Sequence, residues 1–333
     1  MEGGLYEGVR HGWYGVCREA HRQKVSRGRL RGSVPRVRKT SHTRVLEELG
    51  CELAYGDVTD RASVLNGVRG CGWVVNLANV YSYWEPDKSA YRTVNVEGTR
   101  NVMEGGVSKV VHVSTMLVWG KPAQQPFSEE TPVGLKRFTD YAQSKYEGDL
   151  VVWELYRERG LPVVALYPGP ILGMGDPKAP GQYVTDLIER RVPGRVFEDS
   201  AFTWVHVNDV AEAIVRALEK EGNEGEKYLI GKHGLTMGKF TRIVGEISGI
   251  PPPKRIPPPK RRLPGPVVMA TAALLTKLAD LTGRPPFSGM SRDSMRNIKE
   301  SVVFDGSKAE KELGIIYTPI QEAIEEEVAS HNR

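Results

Sequence analysis

The chain has 333 residues, 40% of them hydrophobic, which is enough apolar material for one large domain or two modest ones. Its net charge of +5 is local: residues 1–45 hold eleven Lys/Arg against three Glu, a net of +8, so the rest sums to −3 and no nucleic-acid footprint is implied. The longest apolar run, PVVMATAALL at 266–275, is about half of what a bilayer crossing needs, which excludes a membrane span.

Three cysteines, Cys17, Cys51 and Cys71, have neither paired spacing nor a neighbouring His cluster. They argue against a disulfide framework and against a metal site, and for a reducing, cytoplasmic setting. The start of the chain is charged and Gly-rich, unlike a signal peptide.

From about residue 43 the pattern is α/β. TRVLEELG reads as a helix ending at Gly50, CELAYGDV as a strand, RASVLNGVRG as a helix and GWVVNLANV as a buried strand. AYRTVNVEGTRNVMEGG follows as a helix, SKVVHVST as a strand, a helix starts near Tyr141, and LPVVALYPG is a strand. This alternation implies βαβ units in a doubly wound parallel sheet, whose ligands sit beyond the carboxyl ends of the strands. GIPPPKRIPPPKRRLPGP (249–266) is a Pro-rich basic connector, followed by an apolar helix at about 267–282. VVFDGSKAEKELG reads as a short strand and helix, and TPIQEAIEEEV as the closing helix.

The stretch TDYAQSKYEGD puts Tyr141 and Lys145 four apart at a helix start, hence on one face. A phenol with an ordinary pKa of about 10 is a poor acid or base at neutral pH, and a nearby ammonium favours its phenolate. The strand KVVHVST delivers Ser114 and Thr115 to the end of the sheet, where a hydroxyl can hold a carbonyl while the tyrosine transfers a proton. Tyr-x-x-x-Lys alone is a weak signal; the surrounding motifs give it meaning.

VVHVSTMLVWG, DYAQSKYEGD, LYPGPILG, FTWVHVNDVAEAI and FDGSKAEKELG, in that order across residues 37–330, resemble the extended short-chain dehydrogenase/reductase superfamily. Within it the chain resembles the NAD-dependent epimerase/dehydratase family and dihydroflavonol-reductase-like proteins. The resemblance implies a Rossmann-like dinucleotide-binding domain at 37–170 and about 205–230, and a smaller C-terminal substrate-binding α/β region at about 171–204 and 231–333. It implies Tyr141 as acid/base, Lys145 lowering its pKa and bonding the nicotinamide ribose, and Thr115 as the catalytic hydroxyl four residues before Trp119, with Ser114 as the neighbour that could substitute. Trp119 stands where the family has Tyr and is expected to alter the pocket wall.

For the cofactor the resemblance points to Asp57 and Val58 at the adenine, Leu77, Ala78 and Asn79 along the adenosine ribose, Asn95 on the central helix, and Tyr167, Pro168, Gly169 and Ile171 over the nicotinamide. Taken alone, Asp57 also fits a turn or helix cap. His206 is expected to fill a buried polar site and Asp209 to cap the following helix, and His112 to be structural.

The family opens with a strand and a glycine turn that holds pyrophosphate on backbone N–H groups. VRHGWYGVCREAHRQKVSRGRLRGSVPRVRK has neither the strand nor the spacing. With permitted synonymous codons, the frame one nucleotide later from Tyr6 reads Met-Lys-Ala-Phe-Val-Thr-Gly-Gly-Thr-Gly-Phe-Val-Gly, the family's opening. Residues 1–36 are thus expected to be an aberrant segment produced by two compensating frameshifts, and a chain built this way is expected to hold cofactor poorly.

Arg38 and Lys39, at the end of the second strand, favour NADP over NAD, unless they form an ordinary solvated turn. Tyr81, Tyr83 and Trp84 fall where the substrate cleft opens, as an aromatic wall for a flat or apolar carbonyl compound or as packing at the domain junction. The leading expectation is an NAD(P)-dependent reductase/dehydrogenase acting on a small-molecule carbonyl or secondary alcohol. The alternatives are a nucleotide-sugar epimerase/dehydratase with bound NAD, and a cofactor-deficient binding protein. Neither nucleic acid, metal nor a membrane span enters any of them, and a homodimer is left open.

Overall fold

The computed structural model describes residues 54, 56–174, 176, 179–192, 194–253 and 265–331. The aberrant segment, Arg38, Lys39, the helix expected before Gly50 and most of the strand expected at 51–58 lie outside the described residues, as does most of the Pro-rich connector.

Seven strands follow in chain order: β1 (Trp73–Asn76), β2 (Lys109–Val113), β3 (Val163–Pro168), β4 (Ile171–Leu172), β5 (Ala201–His206), β6 (Lys227–Ile230) and β7 (His233–Thr236). β1, β2, β3 and β6 pair in parallel in the order β1-β2-β3-β6. Every residue of β2 and β3 is buried, because both faces of this sheet are covered and the strands carry apolar runs in place of alternation. Val111 and Val113 face one layer with Val164, Leu166 and Ile214. Val110 and Val163 face the other with Val151, Val152 and Leu155. This is the expected doubly wound α/β arrangement.

Before β1 lies α1 (Arg61–Gly67), capped by Asp60. The helix expected at 90–106 is broken into α2 (Ser89–Arg92), a π-turn (Thr93–Gly98) and α3 (Thr99–Met103). α4 (Asp140–Arg159) starts at the cap Thr139, whose hydroxyl accepts from Ala142 N at 3.0 Å, and stops at Gly160 in the left-handed conformation. α4 crosses the π-turn closely: a Cβ on Gly148 would meet Asn95 O at 2.4 Å.

β5 is antiparallel to β7 and parallel to β4, forming a second, three-stranded sheet. It packs with α5 (Ala179–Ile188), α7 (Met237–Ser248) and α11 (Ile320–His331) in a core where Trp204 stacks on Phe240 at 4.3 Å. Between them, α6 (Val207–Glu219) covers the parallel sheet together with α10 (Ser307–Leu313). α8 (Gly265–Thr282) and α9 (Arg292–Lys299) complete the chain. No helix among the described residues is long and apolar enough to cross a membrane.

Three local expectations are corrected. The strand expected in VVFD is one isolated bridge, Phe304 with Phe127. His206 caps α6 by accepting from Asn208 N at 3.0 Å, whereas Asp209 accepts from Thr318 N at 2.9 Å and Thr318 Oγ1 at 2.7 Å. The expected cap and its neighbour thus exchange jobs, because a residue 109 positions away claims the carboxylate. Cys71 is disulfide-bonded, against the expectation from composition, and its partner lies outside the described residues.

Candidate active site

The carboxyl end of β2 and the first turns of α4 build the centre. Thr115 follows β2 in extended conformation and caps the short 3-10 turn at Met116–Trp119, which fixes its hydroxyl. That hydroxyl lines the same cavity as the Tyr141 phenol. Burial pushes the phenol above its ordinary range, with Tyr83 as the next cause, while the nearby Thr115 hydroxyl works in the opposite sense.

Lys145 lies one turn further along α4, 2% exposed, and its Nζ donates to Val113 O at 3.1 Å. Burial holds it down to about 8, and the Asp149 carboxylate works against that. The expected lowering of Tyr141 by Lys145 is not what this arrangement gives. The ammonium donates to Val113 O at the end of β2, and burial is the largest influence on the phenol.

Beneath these groups runs a buried polar chain. Asn76 Nδ2 donates to His112 Nδ1 at 3.2 Å, leaving the ring proton on Nε2 to donate to Asp149 Oδ1 at 3.1 Å. Burial keeps His112 below its usual range and hence neutral near pH 7. Ser114 Oγ donates to the same Asp149 oxygen at 2.7 Å. Ser114 and Thr115 are therefore not interchangeable: one hydroxyl is committed to Asp149, and the other caps the 3-10 turn beside Tyr141.

A cavity of about 150 Å³ opens above Tyr141. Ser114, Thr115 and Tyr141 line it from below, and Leu77, Asn79, Tyr81 and Tyr83 from the segment after β1. Pro168, Gly169 and Ile171 line it from the end of β3. Gly169 is required there, because a Cβ would meet Thr203 O at 1.8 Å. The rings of Tyr81 and Tyr83 stand 5.1 and 6.3 Å from that of Tyr141. Burial pushes Tyr83 up to about 12, with the neighbouring Tyr81 and Asn297 working in the opposite sense.

Other residues singled out from the sequence stand elsewhere. Asp57 accepts from Thr59 N and Oγ1, both at 2.8 Å, as a turn carboxylate does, and Val58 and Ala78 sit in the core beside α1. Asn95 is fully buried, its oxygen accepting from Val80 N at 2.7 Å and its Nδ2 donating to Ser144 Oγ at 2.8 Å, so it positions the cavity-lining segment from behind. Tyr167 is packed against Trp119 at 4.7 Å and accepts from Trp153 Nε1 at 3.3 Å. Trp119 is buried and bonds Thr131 O at 2.9 Å, so it fills the core in place of shaping the pocket wall. Trp84 turns outward to Asp280 Oδ1 at 2.9 Å.

A model of the family described as NAD dependent epimerase/dehydratase matches residues 16–231. The chain belongs to the NAD-dependent epimerase/dehydratase family. Among similar proteins is sterol demethylase protein B of Methylococcus capsulatus, 30% identical over 304 residues, covering 88% of each chain. A dihydroflavonol 4-reductase-like protein of Synechocystis sp. is 26% identical over 88% of this chain and 85% of its own. The crystal structure of gox2253 shares the fold at a TM-score of 0.73 and 32% identity, over 89% of both chains.

As a member of this family the chain is an NAD-dependent type of enzyme, and its described residues fit a dinucleotide. The Asn79 amide oxygen is buried at the cavity and, among the described residues, has no hydrogen-bond partner, so it awaits a donor from a ligand. Gly169 lets the end of β3 pass close over the same space.

Sequence reasoning missed Asn297 of α9, which lines the cavity together with Tyr83, and Asp149, which ties Ser114 to His112. Asp149 sits four residues after Lys145, where its spacing on the same helix face was a usable signal. Asn297 had none, since it reaches the site from the far end of the chain.

Proposed function

We propose that this protein is an NADP(H)-preferring reductase/dehydrogenase that interconverts a carbonyl and a secondary alcohol on a flat or apolar molecule. One observation carries the reading: the described residues lining the cavity at Tyr141 offer hydroxyls, aromatic rings, aliphatic groups, the amides of Asn79 and Asn297 and the carboxylate of Asp176, and no Lys or Arg. A nucleotide diphosphate needs fixed cations for its phosphates. Relatives named for sterol demethylation and dihydroflavonol reduction support a ring-bearing, weakly charged substrate. The NADP preference rests on the sequence at Arg38 and Lys39.

In the reducing direction, Thr115 donates to the substrate oxygen and Tyr141 transfers its proton to that oxygen as charge develops there. Burial keeps the Tyr141 phenol protonated, so the proton it would give is in place. Asn79, Pro168, Gly169, Ile171 and Lys145 would hold the dinucleotide, which supplies the hydride when bound. Tyr81 and Tyr83 exclude water and orient the substrate ring against Tyr141.

The test is calorimetric titration with NADPH and NADH, followed by turnover with aryl and alicyclic ketones. Tighter binding of NADPH and its stoichiometric consumption are expected, with Tyr141→Phe lowering kcat by about 10²–10⁴ at unchanged cofactor affinity. Bound NAD that survives purification and is not consumed would favour the epimerase/dehydratase alternative, to which the family's name also lends support. Failure to bind either dinucleotide would favour a binding protein. The reading of residues 1–36 as a displaced frame has its own test in the source DNA: codons incompatible with the family's opening sink it, and restoring that opening should raise dinucleotide affinity.

A further inference from the structure

The outward side of α8 is apolar. Val267, Leu274, Leu278 and Leu281 are 48, 59, 49 and 84% exposed, and Thr271, also exposed, stands between the first two. Their spacing of four, three, four and three residues sets all five in one narrow stripe along the helix. The packed positions, Val268, Ala272 and Ala279, lie on a different face. Just past the helix, Phe287 adds a ring that is 70% exposed. Of the ten large hydrophobic side chains exposed among the described residues, five belong to this one stretch, so it is a patch and not scatter.

The charge around the stripe has one sign. Residues 250–290 hold seven Lys/Arg against Asp280 alone, so the −3 found beyond residue 45 divides into +6 here and −9 elsewhere. Lys277 and Arg284 are exposed beside Leu274, Leu278 and Leu281, and Asp280 accepts from Trp84 Nε1 at 2.9 Å. The other five cations fall at 254–262, in the stretch of chain joined directly to the first residue of α8.

Large aliphatic side chains in a row, flanked by cations, match the boundary between anionic headgroups and acyl chains. A second copy packed stripe to stripe would instead set two stretches of +6 against each other. We propose that α8 docks this protein on the surface of an anionic membrane. The helix lies in the headgroup plane without crossing it: the leucines and Phe287 enter the acyl boundary while Lys277 and Arg284 stay among the lipid phosphates. This docking is independent of the reaction proposed above.

The experiment sediments the full chain with vesicles of phosphatidylcholine and with vesicles of an equal mixture of phosphatidylcholine and phosphatidylglycerol. Binding is expected to the mixed vesicles, at least about tenfold stronger than to phosphatidylcholine alone and weakening as salt is added. The double variant Leu278→Glu, Leu281→Glu should lower the partition by about 10² or more, with thermal unfolding reporting that the fold is kept. Lys277→Gln, a change at an exposed position, should lower it about fivefold. Failure to sediment with the mixed vesicles, or sedimentation that neither variant weakens, overturns the proposal. A dimer in lipid-free solution that the double variant dissociates, without vesicle binding, overturns it in favour of a second copy on the stripe.

Discussion

The two sides of Tyr141 are built on opposite plans. The sheet side takes His112, Ser114, Thr115, Lys145 and Asp149 from one strand end and one helix, all buried, with His112 and Ser114 bonded to Asp149 at 3.1 and 2.7 Å and Lys145 to Val113 O at 3.1 Å. The lip takes Tyr81 and Tyr83 from the segment after β1 and Asn297 from α9, brought to one cavity across more than 200 residues of chain. On the function proposed above, the first plan supplies proton-transfer geometry on rigid elements and the second a wall that sets which molecule fits. Mutations should then separate reactivity from selectivity.

The largest expected effect tests whether the paired hydroxyls really differ. Thr115→Val should lower kcat/KM by about 10²–10³ with little change in stability, as removal of one oxyanion donor does. Ser114→Ala should instead cost about 1 kcal/mol of stability and leave turnover within about tenfold. Equal kinetic loss in both would erase the distinction.

Asp149→Ala strikes the base of the sheet side. It leaves His112 Nε2 and Ser114 Oγ without their acceptor and Lys145 without its carboxylate, and should cost about 3 kcal/mol in urea unfolding.

The burial of Lys145 makes a pH prediction. Its folded value, about 8, lies below the ordinary 10.5, so between these values the unfolded chain holds a proton that the folded chain has released. Stability contributed by this group therefore rises with pH across that window, and below it the full cost of the buried charge is present. Unfolding curves from about pH 7.5 to 10 should show this rise in the wild type and a smaller one in Lys145→Met. A bound dinucleotide should flatten it by giving the ammonium a partner.

The smallest effect belongs to Trp84, next to the lip in sequence but turned away from the cavity. Trp84→Phe removes only the bond to Asp280, which is exposed, and should shift stability by less than about 1 kcal/mol.

Much of this was legible in the chain itself. The apolar runs at 109–113 and 163–168 fixed buried parallel strands, and the spacing of Tyr141 and Lys145 on a capped helix placed both at the end of the second strand. Such features depend on backbone periodicity and neighbours within a few residues, which a sequence states directly. The aromatic segment 81–84 was readable as a unit, yet Tyr81 and Tyr83 enter the cavity while Trp84 turns away to α8.

What only the tertiary structure decided was partnership. Ser114 and Thr115 are adjacent and chemically alike, and they part company because Asp149 takes the first while the second caps the turn beside Tyr141. Asp209 is drawn from its helix cap by Thr318, and Asn297 meets Tyr83 from the far end of the chain. A sequence determines which groups are available and how they repeat along the chain. Burial and distance between remote segments determine which group each one bonds.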